Sequence, residues 1–320
     1  MQTYLKTRPV WIQLLLFIGM AFGILMVLSL VGGAILSNIT GISLFQMSDT
    51  GAWDSKNPNM LIMIRGMLLI QFLGMFLIPS LLFAYFSDPQ PLDYIGLKPP
   101  SKALYWVVGI VIMLVAVPMV EYIGLLNRDL PFNPATRKWM QSMEDEAART
   151  LQVMLGRATV TDLVLNVVFI AAFAGIGEEL FFRGIVQRLF IRATKNPWMG
   201  IVVAAFLFSF FHFQFFGFIP RFILGVLLGA IYWYSGSIWP AIIAHFVYDA
   251  FFIILAYFNP ELATNADASI VNKAYIAVAA LVSTLMVAGL IWLMKKNSKT
   301  NYNDVYRDDE PAPSPNDFTF

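Results

Sequence analysis

The chain contains no cysteine. Disulfides, thiolate-ligated zinc, iron–sulfur clusters and thiol catalysis are therefore excluded, and the redox compartment is left undetermined. Charge is scarce too: 13% of the 320 residues are charged and 58% are hydrophobic, whereas soluble domains carry about 25% charged residues. A formal net charge of +1, without a basic stripe, argues against a nucleic-acid partner, because nothing is on hand to neutralise phosphates. Histidine occurs only twice, so any metal would have to be held by those two residues with Glu, Asp or Asn. What abounds is long apolar runs. They place the chain in the lipid bilayer as an all-α, multi-pass membrane protein.

The runs predict about eight transmembrane helices: Trp11 to Leu36, Met60 to Phe86, Ala103 to Leu126, Thr161 to Ala193, Pro197 to His212, Pro220 to Tyr234, Ile238 to Phe258 and Asn272 to Met294. The first exceeds the apolar core of about 7 to 15 residues in a signal peptide and reads as a retained helix. Arg65 near the start of the second is expected to snorkel to the interface. Pro118 is expected to kink the third. The fourth, as one helix, would be about 50 Å long against a hydrocarbon core of about 30 Å. That excess predicts a tilt, a projection into water, or a break near Gly175 and Gly177. Residues 128–157 place Met140, Met143, Ala147, Leu151 and Met154 on a stripe opposite Glu144, Asp145, Glu146 and Arg149, an amphipathic surface helix. Gly225 and Gly229 form a GxxxG, read as close helix packing.

The expected organisation is 1–159 for three helices and the amphipathic connector, 160–258 for a core, 259–295 for the last helix and 296–320 for a disordered tail. Basic residues at both ends and in alternate loops favour both termini in the cytoplasm of a cell-membrane protein.

Ionisable groups concentrate where apolar sequence should exclude them. Glu178, Glu179 and Arg183 are followed by Phe208 and His212, then by His245 and Asp249. At the bilayer centre each ionisable group costs about 2.5–3.5 kcal/mol on insertion scales, so such a set needs mutual compensation. Glu179 with Arg183, and His245 with Asp249, are i and i+4 on one helix face. Two carboxylates and two imidazoles on three helices can then meet in one polar cavity.

This layout resembles the CAAX protease and bacteriocin-processing family of intramembrane proteases, which includes the type II CAAX prenyl endopeptidases. The EExxxR motif matches Glu178, Glu179 and Arg183; FxxxH matches Phe208 and His212; HxxxN or HxxxD matches His245 and Asp249. The motifs span residues 178–249, about 72 of 320. The resemblance implies an endopeptidase acting on a membrane-associated or lipidated peptide, with Glu178 as general base and His212 sharing or orienting the water. His245 and Asp249 would bind the oxyanion or hold geometry. Asp stands where the family often has Asn, and a carboxylate donates nothing to an oxyanion unless protonated, which moves that role towards His245.

Glu179 and Arg183 read as architecture, because a buried pair avoids an uncompensated charge, and Phe208 as packing that positions His212. Zinc stays open: Glu178, His212 and His245 make a His₂Glu set without the HExxH spacing of zincins, and the family is described both as metal-dependent and as metal-free glutamate proteases. Pairing of His245 with Asp249 competes with ligation and weighs against a permanently bound metal. Two other functions compete: a proton-coupled transporter using the buried Glu, His and Asp as a relay, and a non-catalytic membrane immunity or scaffold protein.

Overall fold

The computed structural model describes residues 3–54, 56–156, 159–261 and 275–306. These contain helices and no strand: α1 Val10–Thr40, α2 Pro58–Ser87, α3 Leu104–Arg128, α4 Pro134–Leu155, α5 Val160–Thr194, α6 Pro197–Phe210, α7 Phe218–Ser235, α8 Trp239–Phe258, α9 Ile276–Asn297 and the short α10 Tyr302–Tyr306. Among them seven, all but α4, α6 and α10, are long and apolar enough to cross a membrane. The boundaries follow capping chemistry. Asn133 and Asn196 cap α4 and α6 by accepting backbone N–H bonds, each followed by proline at the first helical position. Gly236, at φ 65°, closes α7 in the left-handed conformation that glycine adopts freely.

The expected fifth span is the principal departure. α6 has 14 residues, about 21 Å at 1.5 Å per residue, too short for a core of about 30 Å. It stops at Phe210, a turn over 211–217 that ends in a single 3₁₀ turn at Phe215–Gly217 reverses the chain, and α7 packs beside it. His212 therefore sits in the turn of a helical hairpin, with its Nε2 3.9 Å from Glu178 Oε1 of α5.

α5 does not break at its glycines. It runs through 35 residues with two π-helical stretches, Val167–Ala172 and Glu179–Gln187, a winding that recurs at functional sites. A Cβ on Gly175 would lie 3.0 Å from Phe246 N and 3.1 Å from Ile242 O of α8, and one on Gly177 would lie 2.9 Å from Phe76 Cβ of α2. The glycines let neighbouring helices close on α5. Pro118 does interrupt α3, which is two segments, Leu104–Val115 and Val117–Arg128. Arg65 does not snorkel: it is buried, and its Nη2 donates to Asp162 Oδ1 at 2.9 Å and Asn166 Oδ1 at 3.0 Å on α5.

Both described ends lie at one end of the bundle. Lys6 pairs with Asp88 at 3.0 Å, Arg192 donates to the Lys6 carbonyl, and Lys102 donates to Asn297. The expected disordered tail contains α10 before leaving the described residues at 306. Its Tyr306 is buried, with the Arg188 guanidinium over the ring at 4.9 Å. α4 lies at the opposite end, fastened by Arg149 to the carbonyls of Thr50 and Trp53.

Candidate active site

Small residues let α7 close on α6 and α5. A Cβ on Gly225 would meet Ala205 Cβ at 3.0 Å, and one on Gly229 would meet Gln187 Oε1 at 2.7 Å, so the GxxxG is a packing seam. Bare carbonyls are thereby exposed to α5: Arg183 Nη2 donates to Gly225 O at 3.1 Å and Gln187 Nε2 to Gly229 O at 3.2 Å.

Arg183 Nη1 also donates to Glu179 Oε1 at 2.7 Å, and its guanidinium lies 4.6 Å from the centre of the Phe208 ring. Both charges are excluded from solvent, Glu179 at 0% and Arg183 at 1% exposure. The same Oε1 lies 2.9 Å from His245 Nδ1. Asp249 Oδ2 is 3.5 Å from His245 Nε2. The expected His245–Asp249 contact thus exists, but the shorter partner of His245 is Glu179, on another helix. Phe208 stands edge-on to both imidazoles, at 4.9 Å from His212 and 6.0 Å from His245.

Glu178, the next residue round α5, faces a cavity of about 430 Å³ lined also by Phe208, His212, Arg221, His245 and Asp249. Glu178 Oε1 and His212 Nε2 face one another at 3.9 Å. His212 Nδ1 lies 2.6 Å from the Phe208 carbonyl oxygen. A second chamber of about 640 Å³, under Ala148, Leu151 and Leu155 of α4, shares Arg221, Tyr248 and Asp249 with the first. The fold therefore brings Glu178, His212, His245 and Asp249 to one cavity and leaves Glu179 and Arg183 buried behind it.

Two cavity residues escaped the sequence reading. Arg221 is the one arginine or lysine lining either chamber among the described residues, and it donates to Gln214 Oε1 at 2.6 Å. Its signal was a lone arginine directly after Pro220 in an apolar run. Tyr248, beside Asp249 on α8, gave no signal apart from that neighbour.

Among the described residues no three His, Asp or Glu side chains form a metal-binding group. Both ring nitrogens of His245 are turned to carboxylates, so the folded chain does not present Glu178, His212 and His245 as a ready His₂Glu set.

Residues 160–251 match the family model described as type II CAAX prenyl endopeptidase Rce1-like. No curated protein and no solved structure matches the chain. The matched segment, 92 of the 320 residues, runs from the first turn of α5 through the hairpin to α8, carries all three motifs in order, and is similar to the type II CAAX prenyl endopeptidases.

Proposed function

We propose that the chain is an intramembrane endopeptidase that hydrolyses a peptide bond in a membrane-associated or lipidated substrate with a water held between Glu178 and His212. The observation that carries this reading is their 3.9 Å separation across the cavity. It is too long for a hydrogen bond, yet one water at about 2.8 Å from each would bridge it. A carbonyl oxygen only accepts, so the contact with Phe208 O puts the His212 proton on Nδ1 and leaves the Nε2 lone pair facing the cavity. The water then donates one hydrogen to each base, and its oxygen is directed at the substrate carbonyl.

On attack the water oxygen bonds to the carbonyl carbon and Glu178 takes the proton. His245, with Nδ1 engaged by Glu179, offers Nε2 on the same wall. The proton it shares with Asp249 is the one able to stabilise the oxyanion. Collapse breaks the C–N bond as Glu178 returns its proton to the leaving amine. Each step uses side chains of this chain alone. A zinc ion on His245 would have to displace one of its two carboxylate partners. The apolar chamber beneath α4 suits a lipid chain or large apolar side chain of the substrate, and Lys6, Arg8, Lys98, Lys102, Arg192 and Lys195 favour the terminal end of the bundle on the cytoplasmic side.

The test is cleavage of an internally quenched farnesylated peptide with a CAAX-type end, and of an unlipidated transmembrane peptide, by purified protein in liposomes. Products that disappear with Glu178→Gln and His212→Ala support the reading. Undiminished cleavage by either variant, or pH-gradient-driven solute uptake without peptide products, overturns it.

A further inference from the structure

The tip of the α6–α7 hairpin is held in part from outside the hairpin. Residues 211–217 have no helical ladder beyond a short 3₁₀ turn at Phe215–Gly217, and Phe213 takes a left-handed backbone at φ 54°. An aromatic residue keeps that conformation only when its surroundings impose it. Buried backbone groups must nonetheless be paired; Arg221 and Ser209 of the hairpin itself donate to the carbonyls of Gln214 and Phe218, and further partners come from other helices. Asn127, 2% exposed at the end of α3, donates through Nδ2 to Phe215 O at 2.8 Å and Phe216 O at 2.7 Å. Its Oδ1 accepts from Ile219 N at 3.1 Å. Glu144 of α4 accepts from Phe216 N at 2.9 Å, and Trp139, one turn earlier, packs on Phe215 with ring centres 5.0 Å apart. Three residues before this grip stands His212.

We propose that Asn127 and Glu144 are positioning residues that grip the backbone of 215–219 and thereby set His212 against Glu178. The inference rests on the reading of Glu178 and His212 as the water-holding pair. It adds two side chains outside the three motifs and makes the seat of the amphipathic helix α4 a condition for an aligned site.

The test uses the full chain in lipid nanodiscs, the farnesylated quenched peptide, and ring-¹⁵N-histidine NMR, in which two histidines give two sets of signals assigned with His212→Gln. Glu144→Ala and Asn127→Ala should lower kcat about ten- to a hundredfold, as sub-ångström to 1 Å misplacement does, with KM changed less than about twofold. The His212 signals should leave the pure Nδ1–H pattern for a tautomer mixture while those of His245 stay. Glu144→Gln keeps an acceptor for Phe216 N and should retain wild-type kcat and His212 signals. Unchanged kcat and unchanged His212 signals in Glu144→Ala overturn the proposal, as does Glu144→Gln behaving like Glu144→Ala. Should Asn127→Ala fail to fold, the two Glu144 variants decide. Should the wild type cleave no peptide, the proposed function fails, and the NMR signals alone decide whether the grip sets His212.

Discussion

Replacing Arg183 with Met removes a guanidinium that is 1% exposed and leaves Glu179, at 0% exposure, with His245 in place of two partners. Three contacts go at once: Glu179 Oε1 at 2.7 Å, Gly225 O at 3.1 Å and the face of Phe208 at 4.6 Å. Breaking a buried pair from one side costs about 3–5 kcal/mol, most of it from the charge left behind. Glu179→Gln keeps an oxygen for His245 and Arg183 but strands the guanidinium, so it should cost a comparable amount. The double variant strands neither charge and should lose less than the sum of the singles by about 1–3 kcal/mol. The chain's eight tryptophans report unfolding in mixed micelles as the denaturing detergent fraction rises. Strict additivity, or an Arg183→Met protein as stable as wild type, would refute the compensation argument.

Glu178→Gln removes a charge from the cavity wall rather than from the packed interior, so cleavage should vanish while stability stays within about 0.5 kcal/mol of wild type or rises; a clear loss of stability would make Glu178 structural. Treatment with a strong chelator should leave peptide cleavage unchanged, and a loss that added zinc reverses would sink the metal-free reading. Gly175→Ala puts a Cβ 3.0 Å from Phe246 N and 3.1 Å from Ile242 O, both backbone atoms that cannot turn aside. It should destabilise the protein by about 1–3 kcal/mol and lower kcat by moving His245, both read in the same unfolding and cleavage assays; wild-type values in both would show that α5 and α8 have slack.

The ionisable residues that converge on the cavity were legible because charge in apolar sequence demands a partner. Their pairing was only partly so. Spacing of i, i+4 finds neighbours on one helix, as for Glu179 with Arg183, and is blind to Glu179 with His245, which are 66 positions apart. Helix existence followed from hydropathy, but the length of α6 did not: Phe211, Phe213, Phe215 and Phe216 continue the apolar run past the point where the backbone stops being helical. Asn127, just past the expected end of the third span, gave no signal, and Arg65 read as an interfacial cation, since their partners Phe215, Phe216, Asp162 and Asn166 lie about 90 to 100 residues away. A break near Gly175 and Gly177 stood beside tilt and projection as a reading of the long α5 run because a sequence does not say which helix comes close.

The short α6 bears on the membrane itself. Trp198 near its start and Phe210, Phe211 and Phe213 at its tip are all outward-facing, so on this flank an apolar band of about 21 Å meets hydrocarbon of about 30 Å. The mismatch of about 9 Å must be absorbed by local thinning of the lipid or by tilting of the hairpin, at a fraction of a kcal/mol per Å. Acyl-chain length thereby becomes a variable acting on the tip that carries His212: short-chain lipids fit this flank unstrained, and thick, sterol-rich bilayers press against it.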